Sequence, residues 1–494
     1  MSAEISAPTS KRRTPTVIRV LVLATFVVIL NETIMINAIP RLMDDLHVTE
    51  VAAQWVSTAF MLTMAAIIPT TGWFLQRVTT RTAYAVAMGV FIAGTVLSAL
   101  APTFAVLLIG RIIQAGGTAV MMPLLMTTLM TVVAEQDRGK VMGNVTLAIS
   151  VAPAMGPVIS GLILQVEVPG IDSWRLLFVV MLPIAALVTW LGLRQLENVG
   201  EPEAGVLDIP SVLLAALGFG GLVFGLSKFH GDSYTTAVLI VAAGAALIIA
   251  FGLRQVRLQR TGTPLLDLRV LLVGTYAKAL VLLSVAFLAM MGSMILLPLY
   301  LQNLRGLTPL ETGLLVMPGG LAMGLLGPSV GKLFDKFGGR TLVIPGSIGI
   351  AVALAGFTQV SLTMPYWQLL ALHILLMVSL AAAFTPVFTL GLGALPMNLY
   401  SHGSSMLGTL QQVAAAVGTA LVVTVMSARS TSLIDAGTEP ATAALDGMRL
   451  AFLVSAVLAL IVIAMAVLLP NRSANPHGAH APADEPEAPE LVKS

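Results

Sequence analysis

Cysteine is absent from the 494 residues, so disulfide and thiol chemistry are excluded. Charge is scarce: Asp, Glu, Lys and Arg make up 10% of the chain, against about 25% in an ordinary soluble domain. The formal net charge of +2 provides no basic surplus for nucleic acid. No metal-ligand cluster, nucleophile elbow or phosphate-binding loop is found, which argues against an enzyme. The missing G-x-x-x-x-G-K-[ST] pattern also disfavours ATP-driven transport. What the chain does have is apolar surface. Hydrophobic residues make up 57%, with a mean hydropathy of +0.94. A core of this size cannot hide that much apolar surface without lipid. The expected class is an all-α, polytopic membrane protein.

A membrane span needs about 20 apolar residues. Fourteen segments qualify: 17–40, 51–72, 82–101, 104–132, 141–164, 174–194, 209–228, 234–254, 275–301, 311–331, 340–360, 366–391, 404–427 and 448–470. The first follows a basic cluster, Lys11 to Arg13, and could pass for a signal peptide. Its apolar run is too long for that, and no clear cleavage site follows, so it reads as a retained span. The Pro-, Ala- and acid-rich tail, 471–494, is expected to be disordered.

With the N-terminus inside, nineteen of the 26 Lys and Arg residues fall in inner loops, termini or the inner ends of spans, six in outer loops or the outer ends of spans, and Arg111 deeper inside a span. This bias predicts that both termini are cytoplasmic. Two inner loops are alike. "GWFLQRVTTR" (72–81) follows the second span and "GKLFDKFGGR" (331–340) the tenth. Each has a Gly, a bulky residue two on, a basic residue five on and an Arg nine on. Their placement suggests a duplicated six-span unit with two extra spans between the copies, and such duplications place the substrate between the halves. The expected organisation is a cytoplasmic segment (1–16), a six-helix bundle (17–194), two extra spans with linkers (195–274), a second six-helix bundle (275–470) and a cytoplasmic tail (471–494).

The second copy, with Gly331, Leu333, Asp335, Lys336, Gly338, Gly339 and Arg340, resembles motif A of the major facilitator superfamily. In the first copy Gln76 stands where the family usually has Asp, and Thr79 and Thr80 replace Gly and a basic residue. The family's Asp helps latch the cytoplasmic face. Here the first latch is either lost or uses Gln76 as a neutral partner. By the resemblance, Gly72, Arg77, Arg81, Gly331, Asp335 and Arg340 are gating residues.

The fifth span reads "GNVTLAISVAPAMGPVISG" (143–161). Ala148, Ala152, Gly156 and Ser160 recur every four residues, a face that allows close helix approach. Pro157 removes a backbone hydrogen bond and should bend the helix. The face suits a moving gate or a static seam equally. Gly143, Gly156, Pro157 and Gly161 also resemble motif C, the antiporter motif, with Ala152 and Ser160 in place of two glycines. That motif is found in drug–proton antiporters and is generally absent from symporters, so Gly156 and Pro157 are expected to gate.

Arg111, Gln114 and Thr118 share a face of the fourth span, and "GRIIQAGG" (110–117) resembles motif B, whose Arg is implicated in proton transfer. A buried Arg must find a carboxylate, carbonyls or water. At about 1.5 Å per residue, Arg111 lies roughly 10 Å and Glu32 roughly 12 Å from the outer ends of their spans. The two can meet if the first and fourth spans are neighbours, as they usually are in this superfamily. Glu32 is the one acid well inside any span. Either it loads and releases a proton beside Arg111, or it forms a fixed ion pair with it. "LNETIMINAIP" (30–40) is similar to the first-span signature of the fourteen-span drug–proton antiporters, many of which have Asp at the Asn31 position. Neighbouring helical residues point about 100° apart, so Glu32 need not face the same cavity. Asn31, Gln114, Gln411 and Gln412 are candidates for lining the substrate cavity, and Gln411 and Gln412 could instead simply bond between helices. His373 reads as a packed residue rather than a proton carrier.

The resemblance implies the major-facilitator fold and a proton-coupled antiporter that exports hydrophobic or amphipathic drugs. Its expected partners are drug-like molecules, protons and the lipid bilayer of the cytoplasmic membrane, with no nucleic acid. The chain is expected to act as a monomer and to need no cofactor, the proton gradient being the energy source. The alternatives are a dedicated exporter of an endogenous lipid, peptide or metabolite, and a proton-coupled uptake symporter, which motif C opposes.

Overall fold

The computed structural model describes residues 16–35, 38–48, 50–166, 168–169, 172–199, 207–228, 234–260 and 264–472. The N-terminal basic cluster and the tail from residue 473 lie outside them. The helices are α1 (Thr16–Ile34), α2 (Ile39–Leu46), α3 (Glu50–Arg77), α4 (Thr80–Ala99), α5 (Phe104–Val132), α6 (Arg138–Ile163), α7 (Ser173–Gln195), α8 (Ile209–Ser227), α9 (Tyr234–Leu258), α10 (Gly274–Leu299), α11 (Pro309–Phe337), α12 (Arg340–Phe357), α13 (Tyr366–Gly393), α14 (Tyr400–Asp435) and α15 (Pro440–Leu468). All but the short α2 are long and apolar enough to cross a membrane, fourteen among the described residues.

Several boundaries differ from the hydropathy reading: α3 runs on to Arg77, α11 to Phe337, and α15 begins at Pro440 rather than at residue 448. Two others are instructive. The first span ends at Ile34 rather than Pro40, and Pro40 sits in the first turn of the separate α2. Proline has no N–H to lose there and presets the helical φ. The thirteenth span, read as 404–427, is the 36-residue α14. Its polar final turns are held by an ion pair between Arg429 and Asp446 of α15, 3.0 Å. Hydropathy marks the lipid-facing middle of a helix and not its polar ends.

Helices α1 and α3–α7 pack on one another, and so do α10–α15. The extra pair, α8 and α9, pack together, and α8 lies against α3 and α14. Glycines set these approaches: a Cβ on Gly117 of α5 would collide with the Ala87 carbonyl of α4, and one on Gly225 of α8 would lie 2.8 Å from Val241 of α9. The α8–α9 pair is also pinned by Asp208, which accepts two 2.7 Å hydrogen bonds from Arg254. The Arg254 hydrogen bond leads in holding the Asp208 carboxyl down to about 2.

The two bundles meet along two seams, α6 on α11 and α3 on α14. Both seams are sealed at the end of the molecule that carries the two motif A loops, here called the basic face.

Candidate functional site

Glu32 is in the last turn of α1 and half-buried. Its depth is set by a neighbour. Thr33 packs against Gly156 of α6, where a Cβ would collide with the threonine hydroxyl. Gly156 is seven residues from the end of α6, about 10 Å at 1.5 Å per residue. Glu32 therefore stays well below the rim although α1 ends early. Helix α1 packs on α5, which brings Glu32 and Arg111 within reach of one another's charge. They form no direct ion pair. Arg111 is 1% exposed; it donates to Gln114 Oε1 at 2.6 Å, and its guanidinium lies 4.2 Å over the Phe60 ring of α3. Gln114 in turn donates to Thr95 of α4 at 2.7 Å. The guanidinium is thus held by neutral groups while its Nε lacks a partner. The Glu32 carboxylate lies within reach of an arginine without being locked to it.

Asn31 is fully buried, and neither its amide nitrogen nor its oxygen finds a partner among the described residues. It turns into the packed interior while Glu32 faces the Arg111 cluster. Gln411 and Gln412 of α14 are half-buried and join no hydrogen bond that reaches this cluster; Gln411 Nε2 is unpartnered. His373 is packed edge-on against Gly319 of α11, with Nδ1 unpartnered.

The residues expected to gate fall into two groups. Asp335 of α11 accepts hydrogen bonds from the backbone N–H of Gly139 (3.0 Å) and Lys140 (2.9 Å), in the first turn of α6. An anion there satisfies free N–H groups and sits at the positive end of the helix dipole. Above it, Gly331 abuts Gly139 and Gly327 abuts Gly143, backbone on backbone. Gly320 and Gly324 extend this stripe along α6. The regular glycines of "PGGLAMGLLGPSVG" (318–331) are the sequence signal of the α11 side of this stripe. Pro157 lies within an unbroken helix, α6.

In the first motif A copy the neutral Gln76 reaches across to the other bundle. Gln76 donates to the Asn398 carbonyl just before α14 (3.0 Å) and accepts from Arg77 (2.8 Å). Gly72 abuts Ser401 and His402 of α14. Arg81 and Arg340 are exposed and make no bond to the opposite bundle among the described residues. The seal is reinforced by residues the sequence did not single out. Thr127 of α5 bonds Ser404 (2.8 Å), Thr146 of α6 bonds Thr385 of α13 (2.8 Å), and Ser405 donates to the Ile68 carbonyl (2.5 Å).

The chain belongs to the Major Facilitator Superfamily, whose sequence profile matches residues 21–419. An MFS-type transporter of Bacillus subtilis (strain 168), YcnB, is 39% identical over 90% of this chain and 93% of its own length. The lincomycin resistance protein LmrB of Listeria monocytogenes is 36% identical over 82% of this chain and 85% of its own. Among solved structures, the human organic anion transporter MFSD10 superposes with a TM-score of 0.65 at 14% identity, covering 92% of this chain and 100% of that one. That likeness concerns the fold alone. The protein is a membrane transporter of small molecules and not an enzyme.

Proposed function

We propose that this transporter is a proton-coupled antiporter that exports hydrophobic or amphipathic drugs across the cytoplasmic membrane, with both termini cytoplasmic. It works as a monomer, and the proton gradient replaces any cofactor. The observation that carries this reading is Glu32, an acid held below the rim by the Thr33–Gly156 contact, beside an arginine it does not pair with directly. The relatives named for lincomycin resistance support a drug as cargo.

In the cycle, the sealed basic face isolates the cytoplasm while a proton reaches Glu32 from outside. Neutralising Glu32 removes its attraction to Arg111 and so loosens α1 from α5. Release of that proton inward re-forms the attraction. Gly156, which clasps Thr33 next to Glu32, passes this change to α6 and its seam with α11. One charge crossing 100 mV supplies about 2.3 kcal/mol, roughly a fiftyfold gradient per proton.

Glu32→Gln should abolish proton-driven efflux without loss of folded protein. Everted vesicles test the direction: with an antiporter, adding substrate alkalinises their acidified lumen. Undiminished efflux by the Gln variant in a drug-accumulation assay sinks the assignment. A panel of unrelated drugs separates multidrug export from export of one metabolite.

A further inference from the structure

The α3–α14 seam holds a buried titratable group that the cycle above does not use. His402 is in the first turn of α14, 3% exposed, and its Nδ1 has no partner among the described residues. Gly72 of α3 closes over it: a Cβ at Gly72 would lie 2.9 Å from Nδ1 and 3.2 Å from the His402 Cα. Three charged groups reach the ring: Arg77 on α3, and Asp267 and Arg269 on the linker between α9 and α10. From α10 the neighbour is Tyr276, whose hydroxyl donates to the Gly403 carbonyl at 2.7 Å.

The linker is held in place. Gln255 of α9, fully buried, accepts from the N–H groups of Leu265 (2.8 Å) and Leu266 (3.2 Å) and donates to Ser211 of α8 (2.7 Å). Asp267 is itself engaged by Arg269 through side chain and backbone, and by Gln259 at 3.3 Å. Burial pushes the Asp267 carboxyl up, but the Arg269 hydrogen bonds outweigh it and hold the group below the usual carboxylate range. In the sealed state the ring therefore faces two guanidiniums and a carboxylate already committed to one of them. A charge on the ring would stand in a dry seam without a counter-ion.

We propose that His402 is a second proton-binding residue, on the α3–α14 seam at the basic face, and that its protonation favours the open seam. When α3 and α14 part, Gly72 withdraws, Nδ1 meets water and the ring accepts a proton. Resealing requires that proton to leave. Acidification on the basic face thus biases the transporter toward opening on that face. The extra helix pair, through its linker, supplies the charges that set this bias. The inference rests on alternating access alone and not on the nature of the cargo.

The absence of native cysteine makes the test direct. Spin labels are placed by V86C on α4 and M397C before α14, positions 45% and 57% exposed, and the interlabel distance distribution is recorded. The background is Glu32→Gln, so that no response comes from that acid. In this background the long-distance population should rise about fivefold between about pH 8 and about pH 5, across the range where histidine titrates. Adding His402→Asn should cut the response by more than half, the rest coming from protonation of the Asp335 cap, and adding His402→Lys should keep the long-distance population high at both pH values. Circular dichroism and size exclusion check that each variant is folded. An unchanged pH response with His402→Asn, a flat response in folded Glu32→Gln protein, or a closed seam with His402→Lys each overturns the proposal. The readout is seam opening, so it fails or succeeds independently of drug–proton exchange.

Discussion

The two seams at the basic face occupy equivalent places in the two halves and are built differently. On the α6–α11 side, the Asp335 carboxylate caps the first turn of α6 with two hydrogen bonds, and glycine backbones meet directly above it. On the α3–α14 side, neutral Gln76 makes one bond to a carbonyl, and Gly72 closes over a histidine with an unpartnered nitrogen. Charge-assisted bonds to a helix N-terminus are roughly twice as strong as neutral ones. With Asp335 ionised, the first seam is therefore the firmer latch and the second the weaker one.

Four substitutions break or sharpen this contrast. The largest effect is expected from Gly331→Ala. The new Cβ meets the Gly139 carbonyl, which is backbone and cannot turn aside. Overpacking of this kind costs about 3 kcal/mol, so drug efflux should fall more than a hundredfold while the folded protein persists. Asp335→Asn comes next. Loss of the charged cap should raise the ratio of open to closed basic face by roughly thirtyfold, about 2 kcal/mol, read from interlabel distances. Thr146→Val leaves the buried Thr385 hydroxyl without its partner and should shift the same ratio by roughly fivefold, about 1 kcal/mol. The smallest effect is expected from Gln76→Asp, which gives the weak seam the acid that the strong one has but loses the amide bond to the Asn398 carbonyl; the α14 N-terminus should still favour the closed state, by roughly twofold at most, about 0.5 kcal/mol. If Gln76→Asp leaves the ratio unchanged, the contrast does not come from the acid.

The membrane class and the fourteen spans were legible because lipid imposes a composition that no loop imitates. Their ends were less so. Ile34 closes α1 where hydropathy runs on to Pro40, and α14 continues through polar turns that Arg429 and Asp446 hold together. Glu32 and Arg111 stood out because charge inside a span is costly, and the packing of α1 on α5 brings them together. The seams were not legible in the same way. Thr146 meets Thr385, and Thr127 meets Ser404, across more than two hundred residues of chain, and nothing in either local sequence marks its partner. His402 looks ordinary until Gly72 and the 264–272 linker are placed around it. Arg81 and Arg340 are marked by motif position, and both are exposed at the surface of their own bundles.

The glycine-on-glycine contacts of the α6–α11 seam have a bearing on how often the transporter can cycle. Gly139, Gly143, Gly327 and Gly331 have no rotamers to freeze. A long side chain such as Met or Lys gives up as much as about 1.5–2 kcal/mol of conformational freedom when it is packed away, and glycine gives up none at the side chain. A surface of bare backbone can thus part and meet again without re-sorting side chains at each turn. It behaves like the face of a bearing, its shape the same before and after every stroke.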